Sequence, residues 1–336
     1  MSIEPVARYE TSGGARIYRI AAQVFPMLTG NVYLVLDGDY AALIDTGSGL
    51  GDSTLHVRQG FEQVRASWGE RADWRDLSRI VITHAHVDHY GGLGALRELT
   101  DAPVAVHELD RRVLTNHEER RILSSRAVSA FLWRAGVSET GHASLMAMHG
   151  WSKGLFRSVE VATVLHDGDT LDGRMRVFHA PGHCPGQVCL QIDDVLLSAD
   201  HVLPHTSPHM APESITPSTG LGHYLAALRA IAGVPGVRLA LGGHEGPIHD
   251  LPARIAEIEA SHQRKLARVY EACATPHTIS ELSKQLYPNV GSYDILLALE
   301  EIGAHVEYLD QRGELAIANL PEVAADERIA PRYCRL

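Results

Sequence analysis

Within ten residues, Thr83-His84-Ala85-His86-Val87-Asp88-His89-Tyr90-Gly91-Gly92, the chain sets three imidazoles and a carboxylate directly after the apolar run Ile80-Val81-Ile82. Borderline nitrogen and hard oxygen donors in that mixture suit zinc or a similar first-row divalent ion. Three later positions repeat the arrangement. His183 follows Ala180-Pro181-Gly182, Asp200 closes Val195-Leu196-Leu197-Ser198-Ala199, and His244 follows Gly242-Gly243. Each sits where a predicted strand runs out, two of them on a Gly-containing turn, and glycine lets backbone come close to a bound ion. A lone histidine is usually a surface or core residue. The pattern H-x-H-x-D-H followed by three ordered partners is not explained that way.

The elements that would hold these residues alternate in a readable order. Ala15 to Val24 reads as a strand. Asn31 to Leu36 and Tyr40 to Ile44 flank Asp37-Gly38-Asp39, which is hairpin chemistry. A helical rhythm runs from Asp52 to Trp68, a buried strand over 79–82, a short helix over 94–99 and a strand over 103–106. Residues 108–157 interrupt the strands with three predicted helices, near 110–118, 122–135 and 139–149. Strands return at 175–178, 187–192 and 195–197, then a helix at 224–232 and a strand at 237–241. Two sheets with helices packed outside are expected from that order. Pro247 to Pro252 reads as a linker. Beyond it come helices at 253–272, 278–286 and 292–302, a hairpin of His305–Leu309 with Glu314–Ala318, and a loosely held polar tail from Pro321.

The motifs THAHVDH, PGHCPG, SADHVLP and GGHEGP, in this order, resemble those of the metallo-β-lactamase fold superfamily over residues 15 to 250. The resemblance implies an α+β fold, the four-layer αβ/βα sandwich, here with a helical insertion. It implies His84, His86 and His183 on one metal, Asp88, His89 and His244 on the other, and Asp200 bridging both. His86 stands where oxygen-reducing di-iron members carry Glu, and Asp200 where the best-known zinc β-lactamases carry Cys. The full set is similar to that of glyoxalase-II-like hydrolases. Asp45, in Ile44-Asp45-Thr46-Gly47, matches a family residue that braces the metal loop; a turn residue capping a strand end is the equal alternative. Cys184, where relatives often have Thr, reads as a packing thiol.

The implied chemistry is that of a dinuclear hydrolase with two divalent ions, Zn2+ by default and Fe or Mn by availability. Ions about 3.5–4 Å apart share a water and lower its pKa towards roughly 7. A bridging hydroxide then attacks the carbonyl of a small-molecule thioester or ester, with Asp88 and Asp200 as the catalytic carboxylates. A metal-dependent endoribonuclease or phosphodiesterase is the competing class. Residues 251–320 resemble the small winged-helix-like domain of lactamase-beta-2-like proteins, giving domains of 1–250 and 251–320 and a tail of 321–336. Its predicted recognition helix holds Asp294, Glu300 and Glu301 and no Lys or Arg, a poor phosphate reader. Packing against the catalytic domain, covering the cleft edge or making a homodimer contact are its expected roles. In the insertion, Phe131, Leu132, Trp133, Leu145, Met146, Met148, Trp151, Leu155 and Phe156 form either its own packing face or an apolar lid over the metals. His201, His205 and His209, with Tyr90 and Tyr224, are lesser candidates for a substrate channel.

Composition narrows the classes further. The 336 residues hold 30 Lys plus Arg against 41 Asp plus Glu, a net charge of −11, which opposes a polyanion lying across the surface. Hydrophobic residues at 45% and charged ones at 21% describe a folded globular chain. Four cysteines without a C-x-x-C pair exclude a disulfide scaffold. No apolar run approaches the roughly 18 residues that a membrane span needs. The start lacks a basic segment followed by an apolar run, so a cytoplasmic protein is expected.

Overall fold

The structure is a computed structural model and describes residues 5–150 and 156–336. Trp151 and Leu155 lie outside the described residues. Two compact units are formed by the described residues, one from 5–117, 156–208 and 227–255, the other from 118–150, 209–226 and 256–336. This division cuts the chain differently from a single boundary near residue 250.

In the first unit, β1 (Ala7–Glu10), β2 (Arg16–Phe25), β3 (Leu28–Asp37) and β4 (Tyr40–Ile44) make an antiparallel meander. Gly38 adopts φ 59° in the β3–β4 turn, the left-handed conformation expected of that hairpin. Helix α1 (Ser53–Trp68) crosses to β5 (Arg79–Val81); α2 (Val87–Tyr90) and α3 (Leu93–Leu96) lead to β6 (Val104–His107). After α4 (Glu108–Thr115), α5 (His117–Arg134) and α6 (Glu139–Gly150) the sheet gains β7 (Thr163–Leu165). Strands β4 to β7 are parallel and complete a seven-stranded sheet. The second sheet is built from β8 (Thr170–Leu171), β9 (Met175–His179), β10 (Val188–Ile192), β11 (Val195–Ala199), β12 (Leu239–Gly242) and β13 (Pro247–Ile248). Its one parallel pair, β11 with β12, needs a long crossover, which contains α7 (Leu221–Ala232).

Alternation along the strands makes two cores from one sheet. Ile17, Val35, Ile44 and Val81 face Val177, Leu190, Leu197 and Leu241 of the second sheet. Their neighbours Tyr18, Leu34, Leu43 and Ile80 face Val57, Phe61 and Val64 of α1 and Leu93 and Leu96 of α3. Strand ends are therefore fixed between packed layers, and loops leaving them inherit that rigidity.

The second unit gathers α5, α6, α8 (Leu251–Ala272, from residue 256), α9 (Ile279–Leu286), α10 (Asp294–Gln311), β14 (Leu315–Ile317), α11 (Leu320–Ala325) and β15 (Tyr333–Arg335). Of the insertion's apolar residues, Phe131, Leu132 and Leu145 are buried and Trp133 is exposed. Phe131 packs against Gly303 of α10, and Ser280 N–H of α9 donates to the Ala135 carbonyl at 2.7 Å. Helix α5 of the insertion thus packs with α9 and α10, its own packing face, whereas Phe156 packs on the core of the first unit beside Tyr90 and His117.

Three expectations are corrected. Residues 305–309 continue α10 rather than starting a hairpin, because Leu299, Ile302, Val306 and Leu309 recur at helical spacing on its buried face. Strand β14 pairs instead with β15 (Leu315↔Arg335), which draws the supposedly loose tail into structure. The supposed linker at 247–252 is also structured: Ile248 pairs with Ala240, and α8 begins at Leu251. Among the described residues no helix is long and apolar enough to cross a membrane.

Candidate metal centre

The seven residues singled out by type and spacing meet at one end of the two sheets of the first unit. His84, His86, Asp88 and His89 follow β5, His183 follows β9, Asp200 follows β11 and His244 follows β12. One ligand atom from each of His84, His86 and His183 lies within 4.8 Å of the others, and the same holds for Asp88, His89 and His244. Asp200 Oδ2 stands 3.7 Å from His183 Nε2, 3.5 Å from His89 Nε2 and 3.3 Å from His244 Nε2. One carboxylate oxygen therefore faces both triads.

Local backbone explains how this is achieved. Ala199 adopts φ 47° where the β11 register shifts, turning Asp200 out of the strand. A non-glycine residue at positive φ is strained, and such strain concentrates at functional sites. Gly91 and Gly92 are compulsory: a Cβ on either would overlap the Ser48 or Thr46 carbonyl oxygen. Gly243 leaves the space that Asp200 Oδ1 and His89 Cε1 occupy.

Asp45 is the brace that the resemblance implied. It sits at φ 62°, accepts from Thr83 N–H and Thr83 Oγ1–H at 2.8 Å each, and lies 2.8 Å from His89 Nδ1. His244 Nδ1 is 2.7 Å from the Thr29 carbonyl oxygen, to which it can only donate. Both contacts leave Nε2 directed at the centre, the second-sphere arrangement of metal-ligating histidines. A buried residue the sequence reading missed, Asp110 of α4, accepts from Ala85 N–H at 2.8 Å, Gly186 N–H at 2.9 Å and Cys184 Sγ–H at 3.2 Å. Cys184 is thus a packed thiol with a hydrogen-bonding duty, and burial drives its pKa far up.

The electrostatics favour cations. Burial, then its histidine neighbours, pushes His84 well down and His86 to about 3, so both are neutral donors of a lone pair. Burial alone would raise Asp88, but His89 and His244 outweigh it and hold the carboxyl at about 2. Burial opposes a charge on His244, yet Asp200 and Asp88 lift it to about 10. His89 is lifted likewise by Asp200, Asp45 and Asp88. His89 Nε2 and Asp200 Oδ1 are buried and have no hydrogen-bond partner. An unpartnered ring nitrogen and an unpartnered carboxylate oxygen at a cluster of two carboxylates fit a pair of divalent ions, which would displace the ring protons.

The chain matches the model of the metallo-beta-lactamase superfamily over residues 26–244. It belongs to that superfamily. Among solved structures it is similar to a metallo-beta-lactamase family protein from Thermus thermophilus, with 28% identity, TM-score 0.71 and coverage of 95% of this chain and 98% of that one. A beta-lactamase domain protein from Burkholderia ambifaria shares the fold at 23% identity and TM-score 0.73, covering 98% and 93%. An acyl-coenzyme A thioesterase of Bos taurus is 31% identical over 180 residues, 51% of this chain and 58% of that protein. The match thus spans little more than half of that relative's length. The probable metallo-hydrolase YqjP of Bacillus subtilis is 22% identical over 85% of this chain and 89% of its own.

The lesser candidates of this superfamily member are divided between the two units. His201 is fully buried, which pushes its imidazole down to about 3. His205 is exposed and its N–H donates to Glu245 at 2.8 Å. Tyr90 is buried with its hydroxyl 3.3 Å from His117 Nδ1. His209 and Tyr224 belong to the second unit, His209 paired with Glu300 at 2.8 Å and Tyr224 against the His262 ring. A further group with ligand character, His262, Glu301 and His305, also lies there. Glu301 is already committed to Lys265 Nζ at 2.7 Å and Met210 N–H at 3.0 Å, so this group reads as an ion-pair network.

Proposed function

We propose that the chain is a dinuclear metal-dependent hydrolase of small-molecule thioesters or esters, with Zn2+ as its default ion. The carrying observation is Asp200 Oδ2, within 3.7 Å of ligand nitrogens from both triads. His84, His86 and His183 would hold one ion, Asp88, His89 and His244 the other, and Asp200 both. Ions held there would supply a water of low pKa and a Lewis acid for the substrate carbonyl. Asp88, whose Oδ2 is 3.4 Å from His244 Nε2, would orient such a water or accept its proton. A thiol of pKa about 8.5 departs as thiolate without a general acid, so thioesters suit a site built from ligands alone.

Two relatives support this substrate class. The bovine one is named an acyl-coenzyme A thioesterase, and one from Aspergillus chevalieri, 25% identical over 76% of this chain, is named an atrochrysone carboxyl ACP thioesterase. Against a nuclease stand the net charge of −11 and the acids of α10, where Glu300 and Glu301 are buried and paired rather than offered to a ligand. The test is a parallel assay of metal-loaded protein on acyl thioesters, aryl esters, lactones, bis-aryl phosphodiesters and single-stranded RNA. Thioesters or esters are expected to turn over. Cleavage confined to phosphodiesters or RNA overturns the assignment.

A further inference from the structure

Two buried carboxylates outside the ligand set hold the metal-binding loops, and they divide the labour. Asp45 addresses Thr83 and His89. Asp110 addresses the other half. Its Oδ2 accepts from Ala85 N–H, the residue between ligands His84 and His86, and its Oδ1 accepts from Gly186 N–H, three residues beyond ligand His183. The same Oδ2 takes the thiol hydrogen of Cys184, adjacent to His183. Further support reaches this loop from β9, where His179 Nε2 lies 2.7 Å from the Pro185 carbonyl oxygen and so donates to it. Gly186 has no side chain because a Cβ would come 2.6 Å from Asp110 Cγ and 2.8 Å from the Asp110 nitrogen.

We propose that Asp110 is a positioning residue that sets the metal affinity of the His84–His86–His183 half of the centre and not of the Asp88–His89–His244 half. This rests on the dinuclear reading above. The loops carrying His84 and His86 and carrying His183 come from different sheets, and among the described residues Asp110 is bonded to both. All three partners are donors, so only a carboxylate can satisfy them together. An asparagine keeps the volume but has one acceptor oxygen. Whichever way it turns, its NH2 faces the N–H of Ala85 or of Gly186, and one loop is released.

The experiment measures zinc stoichiometry and stepwise affinity by chelator competition, with Tm recorded in parallel. Wild type is expected to hold two ions and D110N to lose affinity 10–100-fold at one of them, the usual scale for outer-sphere supports. Combining variants locates the loss: D110N/H183A should hold one ion like H183A, whereas D110N/H244A should hold neither tightly. L114A, which opens a cavity on the same helix, is expected to lower Tm and keep both ions, separating positioning from general stability. If D110N binds two ions as tightly as wild type, or loses them no more than L114A does, the assignment is overturned while the dinuclear reading stands. Fewer than two ions on wild type overturns both.

Discussion

A single proton decides whether the His89 nitrogen that faces the centre can offer a lone pair to an ion. Because Asp45 can only accept, the contact of 2.8 Å keeps hydrogen on Nδ1 and a lone pair on Nε2. Asp45→Asn tests this without disturbing the backbone, since asparagine tolerates the φ of 62° found there. With its oxygen kept on Thr83 N–H, the new NH2 would face Nδ1 and force the hydrogen onto Nε2, where it blocks ligation. Loss of one ion's affinity by about 10–100-fold is expected in zinc competition, with the circular dichroism spectrum unchanged; undiminished affinity for both ions would show that the tautomer is not set from Asp45. Asp200→Ala is more drastic, because its oxygen faces both triads: neither ion should be retained on dialysis and turnover should fall to background. A variant with full activity and no bound metal ends the mechanism. These ligands were legible in the sequence because donor type, order and strand-end placement coincide. Asp110 was not. An acid in the first turn of a helix is equally expected from the helix dipole, and only the fold shows that its side chain reaches two loops 25 and 76 residues away.

At the level of elements, periodicity located most helices and strands to within a few residues, since α1, α6, α8 and β4 lie close to where apolar spacing put them. It failed where two periods fit the same short stretch. His305-Val306-Glu307-Tyr308-Leu309 alternates like a strand, yet Val306 and Leu309 also extend the helical face begun at Leu299 and Ile302, and burial of that face decides. The pairing of β14 with β15 was hidden for a different reason: its partners are distant in sequence and neither strand is strongly patterned. The packing of α10 makes a testable point. Gly303 lies in its interior, where Ala would be favoured by about 1 kcal/mol on helix propensity. A Cβ there would, however, come 2.8 Å from Phe131 Cε2 and 2.9 Å from Pro212 Cγ, both parts of rigid rings. Overpacking of about 1–3 kcal/mol should prevail. Gly303→Ala is therefore expected to lower Tm, and a rise would mean that these rings give way readily. Thr278→Ala offers a simpler comparison. It removes the hydroxyl that accepts Glu281 N–H at 3.2 Å in the capping box of α9, at a cost of about 1 kcal/mol in chemical denaturation.

For the molecule as a whole, the charge of −11 bears on partners and the buried acids bear on stability. Two dications would reverse the sign of the field locally, so the net charge does not exclude a small anionic acyl carrier at the centre. It does oppose an extended polyanion, and any RNA association should show a shallow salt dependence. Among the buried acids, Glu301 contributes to stability in acid. Burial alone would raise its carboxyl, but Lys265 at 2.7 Å, then His305 of its own helix and His209 of the β11–α7 connection, hold it at about 2 rather than the ordinary 4.5. In that window the unfolded chain binds the proton more readily than the native one. The contribution is thus complete above about pH 4.5 and disappears as pH falls towards 2, an effect on the order of 3 kcal/mol. His209, raised by Glu300 and Glu301 against its own burial, acts in the opposite direction. Its share is complete below 6.5 and fades only as pH rises through its elevated pKa, outside the acid window. Glu301→Gln should therefore lose stability to urea at pH 7, because Lys265 is left without its charge partner, and should show a flatter decline between pH 4.5 and 2. Protonation of the metal ligands is common to both proteins and cancels in the difference between their curves. Parallel curves across that interval would place the acid sensitivity elsewhere.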